Sequence, residues 1–227
     1  MKTVVVITGA SSGLGHEIAK CLLKKGNYSL ILNGRNKKGL ADFTDSPDVT
    51  IVLGDVAKKT TIDLIENAVS ELGQIDILIN NAGITFVQPF VKNTEKELDE
   101  IIAVNLKAPM LLTHRLYPMM VKQQSGLIVN INSVAGKEAK ANHTMYSATK
   151  FGLKGFADAL RLEAKPNRIR VMNFHPGGIN TDLYRNMPEI PKEKYMDPSK
   201  ITAILVHLLE TDPSIAPDEI VLNRMTK

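Results

Sequence analysis

Short apolar runs alternate with longer amphipathic segments along the whole chain of 227 residues. The apolar runs predict strands over 3–8, 29–33, 49–53, 75–80, 126–132, 169–175 and 219–223. The amphipathic segments predict helices over 13–25, 37–43, 58–72, 95–121, 146–165 and 198–211. Most runs are apolar throughout, which is typical of strands buried on both faces. The pattern therefore predicts a single α/β domain over 1–227, with a doubly wound, mostly parallel, seven-stranded sheet between two layers of helices.

Composition and charge are those of an ordinary globular protein, with 44% hydrophobic and 23% charged residues. The net charge is +4, and the sequence contains no block of five basic residues, so we expect no nucleic-acid binding. The apolar runs are of strand length, so we expect no membrane association. The apolar run at the start of the chain is too short for the core of a signal peptide. The single cysteine, Cys21, cannot form an internal disulfide, and both features favour a cytoplasmic protein.

Ligands of a parallel sheet bind at the carboxyl ends of its strands, and the first such end is followed by "TGASSGLG". Its glycines permit a tight turn and a close backbone approach, and the free amides at the start of the next helix suit a pyrophosphate. A glycine turn that serves geometry alone is the alternative. The predicted nucleotide contacts are Thr8, Gly9, Ser11, Ser12, Gly13, Leu14 and Gly15.

The second strand is followed by "NGRNKK", in which the acidic residue that would bind a free ribose 2′-hydroxyl is missing. Arg35 stands there instead and could contact a 2′-phosphate. The sequence therefore predicts NADP(H) as the preferred cofactor, with NAD(H) less favoured. The alternative is that Arg35 is a solvated loop residue.

The third and fourth strands also end in candidate cofactor residues. Asp55 is predicted to accept a hydrogen bond from the adenine amino group while Val56 packs on the ring; for Asp55, a helix N-cap is the alternative. The fourth strand ends in "NNAG", which adds Asn81, Ala82 and Gly83. Because unpaired buried amides are costly, we expect these amides to tie the cofactor loop to a neighbouring strand.

The helix predicted over 95–121 begins with a capping box of Thr94 and Glu97. Asn105 falls on its buried apolar stripe, where an amide needs a reason. Pro109 lacks the N–H that would bond to the carbonyl of Asn105, which leaves an acceptor free for a water. An asparagine satisfied by neighbouring backbone in a kinked helix is the alternative.

Three further polar residues are candidates for catalysis. Ser133 lies at the carboxyl end of the fifth strand, and Tyr146 and Lys150 follow four residues apart on one helix, so their side chains share a face. A tyrosine and a lysine at this spacing are more often ordinary surface residues. Their occurrence together with a serine at a strand end, a nucleotide turn and the buried Asn105 favours a catalytic site.

With these motifs in this order, the chain resembles the short-chain dehydrogenase/reductase family, in its classical branch, over nearly all of its length. "TGASSGLG" is similar to the family's cofactor turn, "NNAG" to its fourth-strand motif and "PGGINT" to its nicotinamide loop. The resemblance implies a Rossmann-type fold and a carbonyl reductase or alcohol dehydrogenase that uses NADP(H) or NAD(H). It assigns the catalytic tetrad to Asn105, Ser133, Tyr146 and Lys150, and further cofactor contacts to Pro176, Gly177, Ile179 and Thr181.

In that hypothesis Tyr146 gives its proton to the carbonyl oxygen of a small-molecule substrate, because the neighbouring Lys150 ammonium favours the phenolate. Ser133 stabilises the charge that develops on the same oxygen. The resemblance also implies that Lys150 holds the nicotinamide ribose and that Asn105 anchors a water for proton resupply. A regulator that binds NADP(H) without turnover is the alternative, and neither hypothesis includes a metal ion.

Specificity and assembly are predicted only in outline. The segment 183–197 is a candidate substrate loop, with a mobile surface loop as the alternative, and the substrate itself is not identified. His143 is expected on the pocket wall, whereas His175 is not expected to act as a base beside Tyr146. Members of the family often dimerise through the two long helices, so we expect a homodimer. A homotetramer through the last strand stays open because the tail beyond it is short.

Overall fold

The computed structural model describes residues 2–184 and 195–225. Within these residues the strands are β1 Thr3–Ile7, β2 Tyr28–Gly34, β3 Val49–Leu53, β4 Ile77–Asn80, β5 Gly126–Ile131, β6 Ile169–Pro176 and β7 Glu219–Leu222. They form one parallel sheet in the order β3-β2-β1-β4-β5-β6-β7. The predicted seven-stranded α/β sheet is therefore confirmed.

Helices cover both faces of this sheet. The α-helices of the described residues are α1 Gly13–Lys25, α2 Lys59–Leu72, α3 Glu95–Ile102, α4 Ala108–Gln123, α5 Thr144–Ala164 and α6 Pro198–Leu209. On one face α1 and α6 pack their apolar residues, such as Ile18 and Leu205, against the strands. On the other face α2, α4 and α5 do the same with residues such as Ile65, Leu116 and Ala157. None of the helices in the described part of the chain is long and apolar enough to cross a bilayer.

The prediction of a single helix over 95–121 is wrong, because a π-helical turn over Ala103–Lys107 separates α3 from α4. In this turn the amide of Ala108 donates to the carbonyl of Ala103, five residues earlier. A π-turn inserts one extra residue into a helix, and the 3.6-residue periodicity on either side of it does not reveal the insertion. The predicted capping box at Thr94 is present and starts α3. The helix predicted over 37–43 is a short 3-10 helix, Lys38–Phe43.

The strand order places a crevice at the carboxyl edge of the sheet. From β1 the chain moves outward to β2 and β3 and then returns to β4 on the other side of β1. Connections that diverge in this way leave a crevice between the two strands, which is where open α/β sheets bind ligands. Thr8 lies directly after β1, and its amide donates to the carbonyl of Ile79 in β4 (3.1 Å), which closes the floor of the crevice.

Candidate active site

A cleft of about 450 Å³ occupies this carboxyl edge. It is lined by the first glycine turn, by the ends of β2 and β3, by the segment after β4, by residues of α5 and by the loop after β6. The structure therefore brings together residues from all parts of the sequence. Of the residues predicted to bind cofactor or to act in catalysis, all line the cleft except Thr8, Gly15 and Asn105.

The glycine turn owes its shape to close backbone approaches. Gly9 has a φ of +68°, and a Cβ there would lie 2.8 Å from the Cα of Ala82. A Cβ on Gly15 would collide with the side chain of Asn81 and lie 2.6 Å from the carbonyl oxygen of Gly9. Gly15 is therefore required for packing between the turn and β4, and it does not itself line the cleft.

The start of α1 offers hydrogen-bond donors to a ligand. Ser12 occupies the N-cap position, but its side chain makes no capping hydrogen bond to the helix. The first amides of a helix have no intrahelical acceptor, and they attract an anion most strongly where no side chain caps them. Because Ser11, Ser12 and Gly13 also line the cleft, this helix start fits the pyrophosphate of a dinucleotide.

The "NNAG" segment braces the turn, as expected from its amides. The side chain of Asn81 donates to the carbonyl of Thr8 (2.8 Å), and the hydroxyl of Thr8 accepts from the amides of Asn81 and Ala82 (both 3.0 Å). In the neighbouring layer, the side chain of Asn80 donates to that of Asn130 on β5 (2.9 Å). Thr8 thus contacts protein groups behind the cleft instead of facing it.

The ends of β2 and β3 form the part of the cleft that carries Arg35 and Asp55. The buried side chain of Asn33 donates to the carbonyls of Val52 (3.0 Å) and Gly54 (3.1 Å) and so holds the two strand ends together. Arg35 follows as an exposed residue of the cleft. Sequence reasoning missed Asn33 and Gly54, although both flank predicted cofactor residues.

The alternative that Asp55 caps the second helix is wrong. The N-cap of α2 is Lys58, which lies three residues later, and no side chain caps that helix. The carboxylate of Asp55 instead accepts a hydrogen bond from the amide of Ala57 (3.0 Å) within the connecting turn. This bond leaves the carboxylate at the cleft with further acceptor capacity.

An apolar wall lies beside Asp55. Val56 packs with Val104 and Ala108, and Ala82 and Ile84 pack against the same cluster. Val104 and Glu100 both line the cleft. They are four residues apart in the helix predicted over 95–121, and this spacing could have identified both as residues of one face that meets the cleft.

Asn105 is buried behind the cleft. Its side chain accepts a hydrogen bond from the amide of Ile84 (2.9 Å) and donates to the carbonyl of the same residue (2.8 Å) and to Thr149 on α5 (3.3 Å). The structure thus corresponds to the alternative in which neighbouring backbone satisfies the amide. It also ties the π-turn to the segment after β4 and to the helix that carries Tyr146 and Lys150.

Ser133, Tyr146 and Lys150 are all buried and all line the cleft. The Lys150 ammonium donates to the carbonyl of Ile131 (2.9 Å) and lies 5.6 Å from the centre of the Tyr146 ring. Burial lowers the pKa of Lys150 to about 8. The hydroxyl oxygen of Ser133 accepts from the amide of Ala135 (3.1 Å), which leaves its proton to donate to a ligand.

The two histidines differ from each other in their positions. His143 is not among the described residues that line the cleft; its ring packs edge-on against Tyr146, with 6.3 Å between ring centres, and its place on the pocket wall stays a prediction. His175 is fully buried behind Ser133, and its Nδ1 lies 2.8 Å from the Ser133 carbonyl oxygen. Because it too lies outside the cleft lining, it has no direct path to a ligand there.

The loop after β6 lines the cleft with Pro176, Gly177, Ile179 and Thr181. Residues 185–194 of the predicted substrate loop lie outside the described residues. On either side of them, Leu183 lines the cleft and Met196 pairs with Ile179, with Met196 donating to Gly178 (2.9 Å). The cleft residues that sequence reasoning missed near this region also include Thr85, Phe86, Asn132 and Asp182.

Similarity to known proteins extends over most of the chain. Residues 3–191 match the model of the short chain dehydrogenase family. An uncharacterized oxidoreductase of Staphylococcus saprophyticus is 29% identical over 224 residues, which cover 96% of this chain and 95% of that protein.

Two solved structures share the fold over nearly all of the chain. One is an alcohol dehydrogenase from Thermococcus sibiricus complexed with 5-hydroxy-NADP, with 25% identity, a TM-score of 0.89 and 100% of each chain covered. The other is a 3-ketoacyl-(acyl-carrier-protein) reductase from Brucella melitensis complexed with NADH, with 28% identity, a TM-score of 0.88 and coverage of 97% of this chain and 96% of that one. On the match of its sequence to the family model over residues 3–191, the protein belongs to the short chain dehydrogenase family.

Proposed function

We propose that this protein transfers a hydride between NADP(H) and a small-molecule carbonyl or alcohol, with Tyr146 as the general acid or base. The observation that carries the proposal is the buried Tyr146 and Lys150 pair, which lines the same cleft as the glycine turn and Arg35. A nicotinamide cofactor is also supported by the ligands of the two similar structures.

The residues of the cleft fit such a cofactor. The uncapped amides at the start of α1 suit its pyrophosphate, Asp55 and Val56 suit its adenine, and Arg35 suits a ribose 2′-phosphate. The loop from Pro176 to Thr181 would contact the nicotinamide. When bound, the cofactor supplies the hydride for reduction or accepts it in oxidation.

The protein's own contribution is to place and move a proton. In reduction, the O–H bond of Tyr146 breaks and its proton passes to the carbonyl oxygen of the substrate. The positive charge of Lys150 favours the phenolate that is left behind, and with a pKa of about 8 this ammonium is mostly protonated at neutral pH. Ser133 donates its hydroxyl proton in a hydrogen bond to the same substrate oxygen and stabilises the charge that develops there.

The apolar residues around Tyr146 bear on the class of substrate. Ile84 and Phe86 pack against the cluster that contains Tyr146, and Phe86 and Leu183 also line the cleft. An apolar wall beside the proton donor favours a carbonyl compound with a hydrophobic substituent over a strongly charged one.

The experiment is a substrate panel of ketones, quinones, sugars and acyl thioesters, scored by consumption of NADPH and of NADH. We expect turnover with at least one class and a preference for NADPH. Arg35→Ala should weaken NADPH binding about 10- to 100-fold and leave NADH nearly unchanged, because a hydrogen bond to a charged group contributes about 1.5–3 kcal/mol. Lys37→Ala, an exposed neighbour outside the cleft lining, is the matched control.

Tyr146→Phe decides the catalytic part. It removes only the hydroxyl group, so we expect cofactor binding to persist and turnover to fall by about 100-fold or more. A variant that reduces substrate as fast as the parent would contradict the role of Tyr146. NADPH binding by the parent without turnover of any substrate class would instead favour the regulatory alternative.

A further inference from the structure

His175 is a fully buried histidine that the mechanism above does not use. It lies near the end of β6, directly before Pro176 of the cleft. Its Nδ1 is 2.8 Å from the carbonyl oxygen of Ser133, and its Nε2 is 2.9 Å from Oε1 of Glu219 at the start of β7. The imidazole therefore stands between the backbone of a catalytic residue and a carboxylate.

These contacts close into a ring around Ser133. The other carboxylate oxygen of Glu219 accepts from the ammonium of Lys137 (2.8 Å). Lys137 follows a short 3-10 helix, Val134–Gly136, for which Ser133 is the N-cap. Starting at Ser133, the ring thus runs through this short helix to Lys137, then to Glu219, then to His175 and back to the Ser133 carbonyl. That carbonyl also accepts from the amide of Gly136 (2.9 Å), so it is held from two sides.

The two contacts of His175 make different demands on its protons. A carbonyl oxygen can only accept, so the Ser133 contact requires a proton on Nδ1. A carboxylate likewise attracts Nε2 only if that nitrogen carries a proton, and the hydrogen bond from Lys137 holds the pKa of Glu219 below its usual value. Although Nε2 and the Glu219 oxygen are 2.9 Å apart, neither forms a well-directed hydrogen bond within the described residues. Both contacts are attractive together only in the imidazolium form.

We propose that His175 is a positioning residue that, together with Glu219, fixes the Ser133 turn and so aims the Ser133 hydroxyl at the substrate oxygen. His175 holds both Ser133 and Glu219 when it is protonated, and it loses one of these two contacts when it is neutral. This inference rests on the proposed function of Ser133, but it concerns residues that do not themselves touch the cleft.

The direction of the pH dependence follows from the groups that face the ring. They are Glu219 from β7, Lys137 from the end of the 3-10 helix and Lys154 from α5, whose ammonium is 3.9 Å from Oε1 of Glu219. Burial lowers the pKa of His175, against the opposing influence of the Ser133 carbonyl and of Glu219. His175 therefore makes both contacts only at acidic pH, below the usual pKa of histidine, and it loses one of them as the pH rises through its lowered pKa.

Neutral His175 must choose between its two partners. Whichever nitrogen keeps the single proton, the lone pair of the other nitrogen faces an oxygen: the Ser133 carbonyl oxygen if the proton is on Nε2, or the Glu219 carboxylate if it is on Nδ1. In Glu219→Gln an amide replaces the carboxylate and can donate to an unprotonated Nε2, which leaves the proton on Nδ1 for Ser133. This variant should hold Ser133 without any extra proton.

Three variants separate the contacts in a steady-state experiment from pH 5 to pH 8. In His175→Asn the amide nitrogen takes the place of Nδ1 and keeps the Ser133 contact, whereas in His175→Gln it reaches toward Glu219 and loses Ser133. We expect His175→Gln to lower kcat about tenfold with unchanged cofactor Kd, since small misplacements of catalytic groups carry costs of that order. His175→Asn and Glu219→Gln should keep kcat within about twofold of the best parent value and lack the parent's acidic pH step.

A second measurement needs no substrate or cofactor. Nitrogen-15 NMR of histidine side chains in the unliganded protein should find both ring nitrogens of His175 protonated in acid. In Glu219→Gln it should find a neutral ring with its proton on Nδ1. Thermal unfolding of each variant gives the folded fraction by which kcat is corrected.

The outcomes distinguish the two proposals. A parent protein that turns over no substrate contradicts the proposed function, and the NMR titration then still tests the proton count of the ring. An active parent contradicts the present inference alone if His175→Gln is as fast as His175→Asn, if Glu219→Gln keeps the acidic step, or if His175 stays neutral in acid.

Discussion

The Lys150 ammonium is buried, and its burial should have a measurable effect on the free energy of unfolding. Its pKa is lowered to about 8 by burial, whereas a lysine of the unfolded chain titrates near 10.4. Between these two values the unfolded chain binds more protons than the folded protein, so the free energy of unfolding rises with pH. Below pH 8 the folded protein carries the whole penalty of a buried charge. The site thus gives up stability to keep a cation beside Tyr146.

Lys150→Met should therefore stabilise the protein while it abolishes turnover. We expect the free energy of unfolding at pH 7 to rise by about 1–3 kcal/mol, because a hydrophobic side chain of similar volume replaces a desolvated charge. The gain should shrink as the pH approaches 10, where the folded parent no longer carries the charge. Urea denaturation of both proteins at the two pH values measures it.

The matched control is Lys154→Met, on the same helix. The Lys154 side chain is partly exposed (30%), and its hydrogen bond to Asp158 (2.6 Å) raises its pKa. Removal of this cation should not stabilise the protein at pH 7. If Lys150→Met is less stable than the parent while it remains folded, the hydrogen bond to Ile131 outweighs the desolvation penalty and the argument is wrong.

Single residues of the site could be predicted from the sequence where a motif and a strand end coincide. Ser133, Tyr146 and Lys150 are of this kind, and the structure brings them into one cleft. The contacts of His175 could not be predicted, because they require Glu219, 44 residues later, to lie beside it in a neighbouring strand. No local pattern specifies such a pairing, which depends on the register of β7 against β6.

Among the elements, the π-turn over Ala103–Lys107 has the clearest consequence for function. Asn105 lies in this turn, and its side chain forms hydrogen bonds with Ile84 and Thr149. Because the side chain is engaged in this way, the backbone carbonyl of Asn105 is the group that could hold a water. Pro109 is the second residue of α4 and has no N–H to donate to that carbonyl. The proline thus removes the donor that an ordinary α-helix would direct at this carbonyl.

Pro109→Ala should restore the missing donor and allow the π-turn to relax toward an α-helix. If the Asn105 carbonyl holds a water for proton resupply to Lys150, turnover should fall about tenfold, since proton transfer contributes more than this to such reactions. Cofactor Kd should change little, because Pro109 does not line the cleft. Steady-state kinetics and a fluorescence titration with NADPH give the two quantities.

Pro118→Ala provides the comparison, since this proline also lies inside α4 but away from the π-turn. It should leave kcat unchanged. Unchanged turnover in a folded Pro109→Ala variant would remove the proposed role of this proline.

The elements as a whole were predicted better than their details. Continuous apolar runs indicated the buried strands, and most predicted boundaries lie within two residues of the observed ones. The π-turn was missed because one inserted residue changes the phase of a helix without changing the periodicity of either half. The N-cap of α2 was assigned to Asp55 as an alternative because an acidic residue is a common cap, yet the helix begins too late for it.

For the whole molecule, the alternation of strands and helices predicted the architecture, and the carboxyl edge of the sheet predicted the position of the cleft. The substrate could not be predicted, because its pocket depends on side chains from distant segments, including Phe86 and Leu183. Their contribution to the cleft follows from chain connections that have no periodic signature.

Assembly is the prediction that belongs to this scale. Met110 on α4 and Phe151 and Leu162 on α5 are large apolar residues with exposed fractions of 40%, 44% and 76%. Exposed apolar residues on two neighbouring helices favour burial against a second copy of the chain, as expected for the homodimer. We therefore expect the parent protein to be a dimer at micromolar concentration in sedimentation equilibrium.

Leu162→Glu should dissociate this dimer, because a carboxylate would then be buried in an apolar interface without a partner. Leu64→Glu is the matched control, since Leu64 is also exposed (53%) but lies on α2, outside the predicted interface. The control should sediment as the parent does, and both variants should remain folded because neither side chain is buried in the monomer. A monomeric parent would contradict the predicted dimer, and a dimer that survives Leu162→Glu but not Leu64→Glu would place the contact surface elsewhere on the molecule.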